Sequence, residues 1–303
     1  MMRPRRDGSV MTRPRFFQLD VFGARPGSGN PLGVVVGATD WSDAAMQAFA
    51  RWTDLVETTF VLPPTHAKSA YRLRIFTPER EIPFAGHPTI GSAHVVLTIG
   101  FATPEAGVVV QDCGVGLLPI RVHADGVEHG LSVRAPAAHV LPPPEQAPAL
   151  LDAACAGLEL VDRTPSLVEG GRRWWIAESR NEADLRAWQP DHKAILELAR
   201  ATDAIGVCAF ARSDAATHQL AVRAFPAAVG IVEDPASGAA NGLIGAFIAQ
   251  RDPGSALARG YRVSQGREMG CDALIDIDFD VNQGVWVGGR SHLIVQGFLS
   301  WPQ

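Results

Sequence analysis

The sequence predicts an α/β (α+β) protein built from two similar halves, and two observations carry this prediction. With 303 residues and 47% hydrophobic residues, the chain is long enough to bury two cores of about 150 residues each. A motif also recurs: from His87 the chain reads His-Pro-Thr-Ile-Gly-Ser-Ala, and from Asp234 it reads Asp-Pro-Ala-Ser-Gly-Ala-Ala. The second copy starts nearly half a chain length after the first, which is what duplication of one domain leaves behind.

Both copies of the motif have the signature of a strand-to-helix turn. A β-rich run comes first, Tyr71–Phe76 in one copy and Leu220–Phe225 in the other, and a proline turn follows. Small-residue helices are then predicted over Ile90–Ile99 and Gly238–Gln250. Small residues at a helix start let a ligand approach the free N–H groups, and the positive end of the helix dipole favours an anion such as a carboxylate. Each motif alone is equally typical of an ordinary tight turn, and the repeat favours the functional interpretation.

Composition and charge argue against several classes of partner. The chain has 27 basic and 32 acidic residues, a net charge of −5 and no basic stripe, which argues against nucleic acid. It has no uncharged apolar run of about 18 residues, which argues against a membrane span. Residues 1–15 hold five arginines and no apolar run, so we predict a disordered leader and not a secretory signal. Widely spaced cysteines predict reduced thiols in a cytoplasmic protein: Cys113, Cys155, Cys208 and Cys271.

One carboxylate stands in an unusual context. Glu57 lies in the run 55–62, which is otherwise β-branched and apolar, where an unpaired carboxylate is costly. Two accounts stay open: a glutamate at a strand edge that points to water, or a carboxyl in a partly desolvated site with a raised pKa. No metal site is predicted, because His87 and His94 lack the i, i+4 spacing and the accompanying Glu of a zinc helix.

The clearest break in composition is the proline-rich stretch 136–148, which includes Pro142-Pro143-Pro144. Such a stretch is typical of a linker. We therefore predict an N-terminal domain over residues 16–135 and a C-terminal domain over residues 136–291.

Five motifs in a fixed order together resemble the PhzF family of phenazine-biosynthesis-like isomerases. They are Asn30-Pro31-Leu32, Glu57-Thr58-Thr59-Phe60, Phe76-Thr77-Pro78, Ile82-Pro83-Phe84-Ala85-Gly86-His87-Pro88-Thr89 and Glu233-Asp234-Pro235-Ala236-Ser237-Gly238-Ala239-Ala240. No single motif would suffice, but the resemblance runs from about Phe16 to the C-terminus.

This resemblance implies a diaminopimelate-epimerase-like fold. In that fold two pseudo-symmetric domains each form a β-barrel-like sheet around a central helix, and the active site lies between them. The last strand, residues 292–303 here, can return to the first domain. The resemblance also implies a homodimer that acts on a small-molecule carboxylate without cofactor or metal.

The resemblance further assigns site residues by position. Glu57 matches the main proton-transfer carboxylate of the family, and His87 and Asp234 match the two other polar catalytic residues. The matching substrate-binding positions, chiefly small residues whose N–H groups face the substrate carboxylate, are Gly86, Gly238, Ala239, Ser237 and Asn30. No cysteine stands in either turn, which argues against a racemase that uses two thiols.

Two departures from the family pattern bear on substrate choice. Ser237 and Ala239 stand where the family usually has Thr and Ser, and Cys271 stands where Arg is usual. We therefore keep three hypotheses: an isomerase of a cyclic unsaturated amino acid such as dihydro-hydroxyanthranilate, a tautomerase or C–C bond hydrolase of another secondary-metabolite pathway, and a non-catalytic small-molecule binder. Retention of Glu57, His87 and Asp234 argues against the binder, because binding alone needs no base.

Overall fold

The protein divides into two compact units in a computed structural model that describes residues 13–123, 130–162 and 164–301. Among these residues, the first unit comprises those of Met1–Val21, Asn30–Leu131 and Arg290–Gln303, and the second those of Phe22–Gly29 and Ser132–Gly289. Most of the leader predicted over residues 1–15 lies outside the described residues. No helix in the described ranges is long and apolar enough to cross a membrane.

The unit boundaries differ from the predicted ones mainly at one segment, besides residues 132–135, which belong to the second unit, and residues 290–291, which belong to the first. Residues 22–29 fall within the predicted N-terminal domain, yet they belong to the second unit. The reason is backbone pairing: the Leu274 N–H donates to the Phe22 carbonyl at 2.8 Å, and the Ala24 N–H donates to the Asp272 carbonyl at 3.2 Å. The segment from Arg290 onward joins the first unit, which is the arrangement that the family resemblance allowed for the last strand.

The first unit is a mixed sheet with two helices. Its elements are β1 (Arg15–Val21), β2 (Asn30–Val36), α1 (Asp43–Thr53), β3 (Glu57–Leu62), β4 (Tyr71–Phe76), β5 (Glu81–Ile82), α2 (Gly86–Thr98), β6 (Val108–Cys113), β7 (Gly116–Val122) and β17 (Ser291–Phe298). The strands pair in the order β17-β1-β2-β3-β4-β6-β7. The β2–β3 and β4–β6 pairs are parallel and the other pairs are antiparallel.

The second unit is built in the same way. Its elements are β8 (Leu131–Arg134), β9 (His139–Leu141), α3 (Ala147–Ala154), β10 (Ser166–Gly170), β11 (Arg172–Ser179), α4 (Glu182–Ala187), α5 (His192–Ala201), β12 (Val207–Arg212), β13 (Leu220–Phe225), α6 (Gly238–Arg251), β14 (Tyr261–Gln265), β15 (Ala273–Phe279) and β16 (Val285–Gly289). The strands pair in the order β9-β10-β11-β12-β13-β14-β15-β16-β8, with β11–β12 and β13–β14 parallel.

The two units share one sequence of pairings, which confirms the predicted fold class. Starting from β17 or from β9, each unit runs through two antiparallel pairs, then a parallel, an antiparallel, a parallel and an antiparallel pair. Helices α2 and α6 occupy the same place, each as the crossover between two parallel strands. The strands predicted over Tyr71–Phe76 and Leu220–Phe225 are confirmed as β4 and β13.

Each crossover helix is the centre of its own unit. Every residue of α2 from His87 to Val96 is buried, and α2 contacts β1 to β4 and β17. Every residue of α6 from Ala240 to Ile248 is buried, and α6 contacts β9, β10, β11, β15 and β16. A helix that is apolar all round belongs in a core, and contacts with so many strands require each sheet to curl around its helix. Gly91 permits close packing in α2, since a Cβ there would meet Leu32 at 2.5 Å.

Candidate active site

The start of α2 lies four residues before the predicted one. The helix begins at Gly86 and not at Ile90. Pro88 is accommodated in the first turn, because the N–H groups of that turn have no partner within the helix and the proline lacks one of them. Ala85 provides no side-chain cap, although its carbonyl accepts from the Thr89 N–H at 3.2 Å. The amides of Gly86 and His87 therefore stand at the positive end of the helix, where an anion is favoured.

Glu57 and His87 lie against each other in the first unit. Glu57 is the first residue of β3, and its side chain is 13% exposed. Its Oε2 lies 3.3 Å from Nε2 of His87, the second residue of α2. Strand pairing causes this proximity, because Thr58 pairs with Phe76 at the end of β4, from which the chain continues toward α2. The low exposure favours a partly desolvated carboxyl over a glutamate at a water-facing strand edge.

His87 is held in the neutral form. Burial lowers the pKa of His87 to about 3, although a hydrogen bond to the backbone of Pro31 acts in the opposite direction. The Pro31 carbonyl can only accept, so the ring nitrogen that bonds it carries the single proton of the neutral imidazole. Nε2 faces Glu57 and has no hydrogen-bond partner of acceptable geometry among the described residues, so we assign the Pro31 bond to Nδ1. An unprotonated Nε2 then faces the carboxyl, where a proton on Glu57 can be shared and released.

We expect the neutral His87 to make folding stability sensitive to acid. The unfolded chain takes up a proton at His87 as the pH falls through about 6.5, whereas the folded chain resists protonation down to a pKa of about 3. The stability contribution is therefore complete above pH 6.5 and is lost on the order of 1 kcal/mol per pH unit below it. Urea unfolding at pH 7 and pH 5 should show a smaller loss for His87→Gln than for the wild type. Equal losses in both proteins would contradict this account.

Asn30 and Gly86 complete the first-unit group. Asn30 is buried at the start of β2 and directly precedes Pro31, whose carbonyl bonds His87. Gly86 is the residue before His87 and begins α2. Four of the predicted site residues thus come together within one unit. In the described ranges, no group of three or more His, Cys, Asp or Glu residues is arranged to hold a metal ion.

Asp234 lies in the turn that leads into α6 in the second unit. Its backbone forms a bridge with Ala224 in β13, and its Oδ1 accepts from the Ala236 N–H at 3.1 Å. Burial raises the pKa of Asp234, while the Ala236 amide and the Ser237 hydroxyl lower it and the charge of Glu233 raises it further. The half-buried carboxyl is therefore restrained in a hydrogen-bonded turn.

The start of α6 presents two further backbone amides. Ser237 is the N-cap, and its Oγ accepts from the Ala240 N–H at 3.3 Å. The N–H of Ser237 itself donates to Oε1 of Gln265 at 3.3 Å. Ser237 therefore caps α6, and its role in substrate binding stays a prediction. Gly238 and Ala239 remain as the first two amides of the helix, which have no acceptor within it.

The predicted equivalence of His87 and Asp234 is wrong. His87 is the second residue of α2, whereas Asp234 lies in the loop before Gly238, the first residue of α6. The prediction aligned the two prolines, but Pro88 lies inside the first helical turn and Pro235 lies in the loop before the helix. The shared topology instead makes Gly86 and Gly238 the corresponding helix starts.

The carboxylate is present in the first unit alone. Thr58 pairs with Phe76 as Val207 pairs with Phe225, so the position that corresponds to Glu57 is Gly206. A Cβ at Gly206 would lie 1.8 Å from the Phe225 carbonyl oxygen, which excludes any side chain there. The second unit therefore has no counterpart of Glu57 at the corresponding position of its sheet.

A thiol near Asp234 does not replace the missing base. Cys208 is buried in β12, and burial together with the charge of Asp234 raises the pKa of the Cys208 thiol well above its usual range. Such a thiol stays protonated at neutral pH, and the thiolate is the reactive form.

Comparison with known proteins agrees with this architecture. Residues 19–297 match the sequence model of the family described as phenazine biosynthesis-like protein (PhzC-PhzF). The chain therefore belongs to this family, which is one of isomerase-type enzymes. The structure is also similar to that of a PhzF-family phenazine biosynthesis protein from Bacillus anthracis, with a TM-score of 0.80, 23% identity, and coverage of 95% of this chain and 99% of that one. At this identity the likeness shows the fold alone.

Two relatives illustrate the range of the family. The chain is 33% identical to antisense-enhancing sequence 1 of Schizosaccharomyces pombe over 298 residues, 95% of this chain and 99% of that protein. It is 32% identical over 240 residues to trans-2,3-dihydro-3-hydroxyanthranilate isomerase of Pseudomonas aeruginosa, 78% of this chain and 80% of that protein. The second name states a reaction and the first does not.

Sequence reasoning missed three residues that shape the site. The Pro31 carbonyl fixes the His87 ring, and Asn241 and Gln265 fix the start of α6. Pro31 lies in the family-like motif Asn30-Pro31-Leu32, and Gln265 begins the stretch Gln265-Gly266-Arg267-Glu268-Met269-Gly270-Cys271, which is also similar to the family pattern. These motifs were the available signal. Asn241 carried none, because a buried asparagine in a helix of small residues shows no pattern of its own.

Proposed function

We propose that the protein is a cofactor-independent isomerase that moves a proton between carbons of a small cyclic unsaturated amino acid similar to dihydro-hydroxyanthranilate. The observation that carries this proposal is the Glu57–His87 contact of 3.3 Å, nearly buried and next to the uncapped start of α2. A carboxyl in such surroundings suits both removal and return of a proton near neutral pH.

In the proposed reaction Glu57 takes a proton from one carbon of the substrate and delivers a proton to another, and the carboxyl proton exchanges with solvent between the two steps. The neutral His87 can accept from the protonated carboxyl through Nε2, which orients the carboxyl. Negative charge builds up on the conjugated substrate once the proton has left. The amides of Gly86 and His87 lie at a helix start, where preorganised N–H groups stabilise such charge without rearrangement.

The second unit contributes polar groups of the kinds predicted from sequence. We assign Asp234 and the amides of Gly238 and Ala239 to the binding and orientation of polar substrate groups. Ala239 brings no hydroxyl to this helix start, so binding there depends on backbone N–H groups. This feature favours a substrate that differs in detail from those bound by relatives with Ser at the position.

The direct test is conversion of trans-2,3-dihydro-3-hydroxyanthranilate, followed by proton NMR in ordinary water. This compound is chosen because a relative of 32% identity is named for its isomerisation. We expect loss of the substrate ring-proton pattern and appearance of an isomer of the same mass. The methyl ester is the matched control, since it lacks the anion that the helix amides are proposed to bind and should convert poorly. Fragments of lower mass would support the hydrolase alternative, and binding without conversion would support the binder.

A further inference from the structure

Two glutamines that take no part in the proposed proton transfer lie fully buried beside the central helices. Gln111 in β6 and Gln265 in β14 are both 0% exposed. Burying a side-chain amide is costly unless its donors and acceptor are satisfied. A leucine or methionine would fill the same space without this cost, so the partners of each amide indicate what it does.

Gln265 ties together the turn that holds Asp234. Its Nε2 donates to the Asp234 carbonyl at 2.7 Å. Its Oε1 accepts from the Ser237 N–H at 3.3 Å and from Nδ2 of Asn241 at 2.8 Å. One amide thus contacts the residue that begins the turn, the helix cap and the first helical turn. An amide has both donors and an acceptor on one group, which neither a carboxylate nor a hydroxyl of this reach provides.

Gln111 makes the corresponding contact in the first unit. Its Nε2 donates to Oγ1 of Thr89 at 3.3 Å, and its Oε1 accepts from the Tyr71 hydroxyl at 3.0 Å. Thr89 is the fourth residue of α2, and Asn241 is the fourth residue of α6. Both glutamines therefore bond the side chain at the same position of the central helix in their own unit.

The two glutamines stand on corresponding strands. The strands β6 and β14 are the ones that each central helix reaches, and they run parallel to β4 and β13, from which the helix departs. Gln111 pairs with Tyr71, the first residue of β4, and Gln265 pairs with Val222, the third residue of β13. The register of Gln265 on its partner strand therefore differs by two residues from that of Gln111. Because side chains alternate between the two faces of a strand, a shift of two residues leaves both glutamines on the same face.

We propose that Gln111 and Gln265 are positioning residues, each of which fixes the first turn of the central helix in its own unit and thereby orients the amides that bind the substrate. The role in substrate binding rests on the proposed function. The hydrogen bonds by which each glutamine holds the first turn of its helix, here called the clamp, do not depend on it. The clamp assigns a role to a pair of residues that the proton-transfer chemistry alone does not require.

The test compares Gln265→Met and Gln111→Met with Gln250→Met, in the wild-type background. Gln250 bonds the Ala138 carbonyl from the other end of α6 at 2.8 Å, so Gln250→Met loses a similar bond far from the helix start. Hydrogen exchange by mass spectrometry should show residues 234–241 exchanging roughly fivefold faster or more in Gln265→Met, as loss of one hydrogen bond implies. Residues 86–90 should respond in the same way to Gln111→Met, and neither segment should respond to Gln250→Met.

Kinetics provide the readout that a purely structural role would not move. We expect each clamp variant to raise KM for the carboxylate substrate more than it lowers kcat, with kcat/KM reduced roughly 10- to 100-fold by misplacement of the binding amides. Loss of folded protein alone would lower the amount of active enzyme and leave KM unchanged. The isosteric Asn241→Leu and Thr89→Val variants remove the helix side of each clamp and should give the same KM effect in weaker form.

The outcomes separate the clamp from the proposed function. Unchanged exchange in residues 234–241 of Gln265→Met, with an active wild type, would overturn the clamp and leave the function standing. Faster exchange with no wild-type turnover of any offered carboxylate would support the clamp and count against the function. An effect of Gln250→Met as large as that of Gln265→Met would also overturn the inference, because the hydrogen bonds of Gln265 would then matter no more than a hydrogen bond at the other end of α6.

Discussion

Glu57→Gln is expected to lower kcat by roughly 10²- to 10⁴-fold, the range for loss of a positioned general base. The amide keeps the size of the side chain and can still approach Nε2 of His87, which lies 3.3 Å from the carboxylate in the wild type. It cannot accept a proton from carbon, so binding should persist while turnover fails. Steady-state kinetics with a compound that the wild type converts measures the effect, and KM should change little.

The matched control for this variant is Glu79→Gln. Glu79 lies in an exposed loop of the same unit, between β4 and β5, so it undergoes the same chemical change away from the candidate site. We expect wild-type kcat for this control and equal melting temperatures for all three proteins. Turnover by Glu57→Gln within about threefold of the wild type would show that Glu57 is not the base.

Glu233→Ala is expected to destabilise the protein by about 3–5 kcal/mol, the usual cost of leaving a buried charge without its partner. Arg223 and Glu233 form a two-point ion pair, with Nε and Nη2 of Arg223 each 2.9 Å from a carboxylate oxygen. The side chain of Arg223 is 5% exposed and that of Glu233 is 10% exposed. Nη1 of Arg223 also donates to the carbonyls of Leu185 and Trp188. Removal of the carboxylate leaves this guanidinium buried and uncompensated. The midpoint of urea unfolding measures the loss.

The control is the double variant Arg223→Met with Glu233→Leu. Replacing both members of a buried ion pair by apolar residues of similar volume is often neutral, so we expect this protein to be markedly more stable than Glu233→Ala. A loss of less than about 1 kcal/mol in the single variant would contradict the expected cost of an uncompensated buried guanidinium.

The sequence predicts those parts of the fold that depend on residues close to one another in the chain. The β-rich runs Tyr71–Phe76 and Leu220–Phe225 predicted β4 and β13 with their observed limits. The half-length repeat predicted the duplicated topology, although the motif alignment that defined its two copies does not match the corresponding helix starts, Gly86 and Gly238. The family resemblance supplied the identity of Glu57 and His87 as partners, which pattern alone left open.

The parts that sequence reasoning did not predict depend on contacts distant in the chain. Pro88 was interpreted as a turn residue, although a helix start accepts proline equally well, and this placed α2 four residues late. The same error made His87 and Asp234 look equivalent. Residues 22–29 joined the second unit through backbone pairing with residues near Leu274, and no local signal reports such pairing. The proposed role of Gln111 likewise depends on its hydrogen bonds to Tyr71 and Thr89, which are distant from it in the sequence.

The measurement that tests the central claim most directly is deuterium incorporation during turnover in deuterated buffer, followed by proton NMR of the product. If Glu57 moves a proton between carbons, a solvent-exchangeable carboxyl carries it, so the wild type should place deuterium on one ring carbon of the product. Glu57→Gln should give neither product nor exchange of the substrate proton. Product formed by the wild type without any deuterium on carbon, or deuterium incorporated equally well by Glu57→Gln, would contradict the account.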